Sequence, residues 1–135
     1  MHLKANINFL LIVKFLGILL MILPGFMLLA VKWALWYEEF NSLQSLLLTC
    51  GISLGTGLLL FLSSRKHDHR NIGKKEGYLI VSLSWISISA VGALPFFLSG
   101  AIPSYTDAFF ETISGFTTTG ATILTDIEAV DKGLL

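Results

Sequence analysis

Asp107-Ala-Phe-Phe-Glu-Thr-Ile-Ser-Gly-Phe-Thr-Thr-Thr-Gly-Ala-Thr122 is the stretch on which the fold turns. Its first ten residues read as a short helix, and the rest is a loop of threonine, glycine and alanine. The charge-free run from Thr112 to Thr125 is 14 residues long. A helix needs about 20 residues to cross a bilayer, so a run this short points to a re-entrant, interfacial or buried piece. Backbone that leaves a helix at membrane depth is tolerated only where protein buries it or where it lines a water-filled path.

The rest of the chain supplies the membrane. Its 135 residues are 54% hydrophobic and 13% charged, with a mean hydropathy of +0.77. A soluble domain carries about 25% charged residues, so an ordinary soluble fold is excluded. Nine basic and nine acidic residues balance, and net charge gives no reason to expect a nucleic-acid partner. The single cysteine, Cys50, lies in an apolar segment, which rules out a disulfide within the chain. It reads as a small buried hydrophobe.

Three further segments have spanning length. Phe15 to Val31 is free of charge and stays apolar through Trp36, with Pro24-Gly25 inside it. That exceeds the 7–15 residues of a signal peptide's apolar region, and no small-x-small cleavage site follows before Lys32. The expectation is an uncleaved helix in which neighbours re-satisfy the backbone groups freed at the proline. Leu43–Leu62 is a second uncharged stretch of 20 residues, where Gly51 and Gly55 form a small-xxx-small pair with Gly57 nearby. Such a pair lets two helix backbones approach closely.

Arg65–Lys75 holds five Lys/Arg in eleven residues, which places this short connection and the N-terminus in the cytoplasm. His67-Asp68-His69 within it lacks the further ligands of a closed metal site and reads as a solvated loop. The opposite loop, around Lys32–Asn41, carries Glu38 and Glu39 with Trp33, Trp36 and Tyr37 as interface anchors. A third helix is expected from about Gly77 to about Ser99, with Pro95 bending or ending it. On it Ser82, Ser89 and Ala93 share one face, and Ser84 and Ser87 the other, as suits a helix packed between neighbours. This helix delivers the chain to the outside, where Ser104 is expected to N-cap a helix with Asp107 three residues on. Asp107–Phe116 then re-enters the membrane from outside.

A helix that stops halfway across aims its partially negative C-terminus at the membrane centre, where a cation is stabilised. If the chain returns with carbonyl oxygens facing an axis, those oxygens replace an ion's hydration shell. Gly120 stands where the backbone needs dihedrals unusual for an L-residue. Threonine hydroxyls can add oxygen ligands.

At these residues the chain resembles the Trk/Ktr/HKT superfamily of potassium and sodium transporters. The matching pieces are Ala93-Leu94-Pro95-Phe96-Phe97, Thr106-Asp107-Ala108-Phe109-Phe110-Glu111 and Ser114-Gly115-Phe116-Thr117-Thr118-Thr119-Gly120-Ala121-Thr122. The match covers roughly Gly77 to Thr125, and two additional helices ahead of it are similar to the architecture of the TrkH/TrkG branch. The resemblance implies an all-α integral membrane fold: three transmembrane helices, then a re-entrant pore helix and selectivity-filter loop. On this reading 1–64 hold the two extra helices and 65–76 the cytoplasmic basic loop. Residues 77–125 form the first helix, pore helix and filter of one pore repeat, and 126–135 an extracellular linker to a second helix lying outside the chain. The 135 residues are thus expected to be an N-terminal fragment of a four-repeat transporter.

The function so implied is potassium uptake across the bacterial inner membrane, with K⁺ as transported ion and no cofactor. Thr118, Thr119, Gly120 and Ala121 would offer carbonyls to the ion, supported by Thr117, Thr122 and Glu111. Gly120 argues for potassium, because serine at this place accompanies sodium preference in part of the plant branch. Implied partners are the remaining repeats of the same polypeptide, a TrkA-like cytoplasmic nucleotide-binding regulator, membrane lipid and a second copy in a homodimer. The competing reading is a small structural or assembly protein whose loop is merely solvent-exposed. Catalysis is not expected. Asp107 and Glu111 lie four apart on one helical face like paired carboxylates, but no histidine, metal cluster or nucleophile–base set accompanies them.

Overall fold

Long, mostly apolar runs set the lengths of the first two helices, with only Lys14 and Lys32 charged in the first and no charge in the second. The computed structural model describes residues 7–65 and 73–135. Helix α1 runs Phe9–Trp36 and α2 runs Phe40–Ser63, lengths of about 42 and 36 Å at 1.5 Å per residue. The third apolar segment forms as α3 (Lys74–Gly92) and α4 (Leu94–Ser99), and α5 is Tyr105–Phe116. Three stretches, Phe9–Trp36, Phe40–Ser63 and Lys74–Ser99, are long and apolar enough to cross a membrane.

The predicted loop at Lys32–Asn41 shrinks to three residues. Asn8 caps the start of α1 by accepting the Leu11 amide at 3.2 Å, and the helix continues through Trp33 and Trp36. It closes by donating the Glu39 amide to the Ala34 carbonyl (2.9 Å) and the Glu38 amide to Leu35 (3.3 Å). This is the Schellman arrangement, which puts Glu38 where glycine is usual. Its φ is 58°. The sequence has no glycine there to announce the turn.

Helices α1 and α2 pair through small residues, at Gly57 and not at the expected Gly51/Gly55 pair. A Cβ on Gly57 would lie 2.9 Å from the Gly17 carbonyl oxygen and 3.0 Å from the Met21 nitrogen. A Cβ on Gly17 would lie 2.8 Å from the Phe61 nitrogen. Gly51 and Gly55 have nothing within 4 Å of a built Cβ and are exposed. The buried face of α2 is Ser42, Ser45, Leu46, Thr49, Cys50, Ser53 and Gly57, a helical repeat of mostly small side chains that a search for one GxxxG pair overlooks.

Pro24 stays inside α1 without ending it. Lacking an N–H, it leaves the carbonyl four residues earlier, that of Leu20, without its helical partner. Ser53 of α2 donates its hydroxyl to that oxygen at 2.7 Å. The neighbouring helix thereby satisfies the group the proline frees, as expected. Ser53→Ala is predicted to lower stability in detergent by about 1–3 kcal/mol, the cost of a stranded buried acceptor. In a Pro24→Ala background the restored amide should make the same change nearly neutral, a coupling that denaturant titration would read.

The third segment is interrupted at Ala93, which keeps helical dihedrals (φ −73°, ψ −23°), and α4 carries the run on to Ser99. Pro95 sits in the first turn of α4, where its absent N–H is not missed. Of the predicted small-residue face, Ser89 and Ala93 are buried and Ser82 is exposed. Gly100 then ends α4 with φ 79°, and the Ile102 amide returns to the Phe96 carbonyl at 3.1 Å. That turn brings α5 back onto the end of α3. The Tyr105 hydroxyl donates to the Ala90 carbonyl at 2.8 Å. A Cβ on Gly92 would lie 2.8 Å from Thr112 Cγ2. Ala93, Ile102 and Ala108 form the core of this junction with Phe96, Phe109 and Leu124 around them.

Two contacts fix the helix directions. The Asn8 amide reaches the Glu76 carboxylate at 3.4 Å, so the starts of α1 and α3 share one end. The Asn41 side chain donates to the Ser99 carbonyl at 3.4 Å, so the α1–α2 turn and the end of α4 share the other. The 126–135 stretch, read as a linker, docks at this second end. Glu39 accepts the Lys132 and Gly133 amides at 2.8 Å each, and Ser42 donates to the Asp131 carboxylate. Leu134 packs against the Val31, Ala34 and Leu46 cluster.

Candidate ion-binding loop

Helix α5 begins as the sequence predicts and ends in the same Schellman closure as α1. Ser104 is its N-cap, accepting the Asp107 amide at 3.4 Å. Its 12 residues span about 18 Å, well short of the roughly 30 Å hydrocarbon core. At the C-terminus the amides of Thr117, Thr118 and Thr119 all turn back, to Ile113 (2.9 Å), Gly115 (3.1 Å) and Ser114 (3.0 Å). With the N–H groups so used, the carbonyls point elsewhere. Among the described residues, no hydrogen bond ends on the carbonyl oxygens of Thr118, Thr119 or Gly120.

Two residues of this loop have left-handed backbones. Gly120 has φ 74°, as its identity predicts, and a Cβ there would meet nothing within 4 Å. Its constraint is therefore dihedral and not steric crowding. Thr118 has φ 55°, which no sequence signal announces. A β-branched residue in that region is an outlier and carries a cost of order 1–3 kcal/mol. Thr118 is the left-handed residue of a Schellman closure, in which the Thr119 amide bonds the Ser114 carbonyl and the Thr118 amide that of Gly115.

The threonine hydroxyls are tied into the loop itself. Thr117 Oγ1 donates to the Ile113 carbonyl at 2.7 Å and lies 2.8 Å from Thr119 Oγ1, so Thr119 is the donor of that pair. Thr118 Oγ1 donates to the Thr117 carbonyl at 2.7 Å.

Glu111 reaches from α5 to the returning arm. Its Oε1 accepts the Thr122 hydroxyl at 2.8 Å and its Oε2 accepts the Ile123 amide at 3.0 Å. Its carboxylate is thus committed to the loop, which separates it in role from Asp107 at the first turn. Ser114, not singled out from sequence, donates to the Ala121 carbonyl at 2.5 Å. A signal was available: it stands three residues after Glu111, on the same helical face. Phe116 through Ile123 are all exposed.

Most of the basic connection, including His67, Asp68 and His69, lies outside the described residues. Among the described residues, no group of three or more His, Cys, Asp or Glu is placed to hold a metal ion.

No family model matches the chain. It is 37% identical over 125 residues, 92% of its length, to the Trk system potassium uptake protein TrkH of Halomonas elongata. It is 35% identical over 136 aligned residues, its whole length, to TrkH of Escherichia coli. To the Trk system potassium uptake protein TrkG of Escherichia coli it is 30% identical over 103 residues, 76% of its length. The chain spans about a quarter of these relatives: 26% of each TrkH protein and 21% of TrkG. With three apolar helices of spanning length and this identity across its whole length, the chain is a membrane protein homologous to the Trk system potassium uptake proteins.

Proposed function

We propose that this chain is part of a Trk-type transporter that takes up potassium across the plasma membrane, and that the loop after α5 is one element of its selectivity filter. The reading rests on one observation above all. Directly beyond a helix C-terminus lies an exposed loop with left-handed backbone at Thr118 and Gly120, and the carbonyls of residues 118–120 have no partner among the described residues. A helix C-terminus carries about half a negative charge, and free carbonyls are the groups that replace a cation's hydration shell. The names of the relatives favour K⁺ as the ion.

In this account Thr118, Thr119, Gly120 and Ala121 supply the coordinating carbonyls. Ala121 O accepts from Ser114, and a carbonyl has two lone pairs, so one remains for the ion. Thr117, Thr122 and Glu111 hold the loop. Helix α5 is the pore helix, entering from the outer side, and 77–125 constitute the first pore repeat. The basic connection 65–75 and the N-terminus face the cytoplasm, while the Tyr37–Glu39 turn and 126–135 face outward. The rest of the same polypeptide closes the pore, a TrkA-like regulator binds from the cytoplasm, and the complete protein is a homodimer in the bacterial inner membrane.

Anomalous diffraction from the full-length protein crystallised in Rb⁺ tests this directly. The expected result is a peak in contact with the carbonyl oxygens of residues 118–121, displaced by excess K⁺. A well-ordered loop with no ion beside it would favour a structural or assembly role instead.

A further inference from the structure

Helical Ser and Thr hydroxyls in this chain mostly bond back to their own helix. Thr49 donates to Ser45, Ser64 to Leu60, Thr112 to Ala108 and Thr117 to Ile113. Ser114 breaks the habit. It is 5% exposed, and its hydroxyl reaches seven residues forward to the Ala121 carbonyl. One turn earlier, Glu111 takes the next two groups of the same arm, the Thr122 hydroxyl and the Ile123 amide. Three hydrogen bonds thus fall in order on residues 121, 122 and 123, and Leu124 follows into the apolar junction below. At the other end Thr117 is the capped terminus of α5. Only Gly120 lies between the helix closure, whose last bond is made by the Thr119 amide, and the first clamp bond at Ala121, and its backbone is left-handed.

We propose that Glu111 and Ser114 form a clamp that sets the ion specificity of this loop. They are positioning residues: neither touches the ion, and together they fix where the carbonyls of residues 119–121 stand relative to the ion path. The inference rests on reading the loop as a filter. A carboxylate accepting two donors gives stronger hydrogen bonds than a neutral acceptor, which suits a strut that must hold an exposed arm. With the arm anchored, the carbonyl ring resists contracting around the smaller Na⁺. With the clamp released, the arm beyond Thr119 loosens and the ring adapts to either ion.

The test is cation uptake by the protein expressed from its full open reading frame in cells lacking other potassium uptake. Ser114→Ala and Thr122→Val each delete one hydrogen bond of the clamp, and Thr122→Ser keeps the hydroxyl. Thr122 is exposed, and its hydroxyl also accepts the Leu124 amide at 3.0 Å, a bond that Thr122→Val removes and Thr122→Ser keeps. The K⁺/Na⁺ preference, taken from the two KM values, should fall roughly fivefold to tenfold for each bond lost. Thr122→Ser should restore the preference. An unchanged preference in Ser114→Ala and Thr122→Val overturns the clamp, as does an equal fall in Thr122→Ser. Gly120→Ser is the control: if it shifts the preference while the clamp variants do not, the filter reading stands and the clamp alone fails. If Gly120→Ser is silent too, both fail.

Discussion

Gly57→Leu is expected to separate α1 from α2 and abolish a stably folded chain. The reason is geometric. The side chain would have to grow from a point already 2.9 Å from the Gly17 carbonyl oxygen and 3.0 Å from the Met21 nitrogen. Both are backbone atoms, so no rotamer change relieves the contact. The helices must move apart, and that motion also breaks the 2.7 Å bond from Ser53 to the Leu20 carbonyl. Ordinary overpacking costs about 1–3 kcal/mol. A clash with backbone combined with a stranded buried acceptor belongs above about 4 kcal/mol, the exceptional range. Gly51→Leu and Gly55→Leu provide the contrast, since neither position has an atom within 4 Å of a built Cβ. Those two should change the thermal midpoint in detergent little, with effects of about 0.5 kcal/mol or less. Equal destabilisation at positions 51 and 57 would contradict the packing described here.

Position 57 also marks where sequence reading stops. Segment lengths and polarity are properties of single helices, and from them the three apolar helices, the N-cap at Ser104 and the left-handed Gly120 were all legible. Which face of a helix meets its neighbour is a property of the pair. The Gly51/Gly55 pattern pointed to one face, and the contact formed on the one bearing Ser53 and Gly57 because Gly17 and the orphaned Leu20 carbonyl lie opposite. The turn at Glu38 was hidden for a different reason. Its left-handed backbone is imposed by the Schellman closure and by the docking of Glu39 onto the Lys132 and Gly133 amides, contacts from more than ninety residues away in sequence. In the loop, Glu111 was expected to support the arm, whereas Ser114 depends on a forward reach of seven residues and the left-handed Thr118 on the Schellman closure of α5.

Gly120→Ser is the second change with a large expected effect, and it bears on function more than on folding. With φ at 74° and no atom within 4 Å of a built Cβ, serine meets no clash. It pays only the cost of a left-handed L-residue, about 1–2 kcal/mol. The exposed loop can shed that cost by rotating toward negative φ, and the rotation turns the flanking carbonyls of Thr119 and Gly120 out of register. The fold should survive, because the junction of Ala93, Ile102 and Ala108 is untouched.

The most direct measurement of the central claim is therefore the ratio of K⁺ to Na⁺ uptake affinity for Gly120→Ser against the parent, both expressed from the full open reading frame at matched membrane levels. The account predicts a fall of about tenfold, a loss of roughly 1.4 kcal/mol in the free-energy difference between the two ions, with the protein still folded. An unchanged ratio and unchanged uptake in a folded variant would contradict it, and would leave residues 118–121 as an exposed loop with no part in conduction.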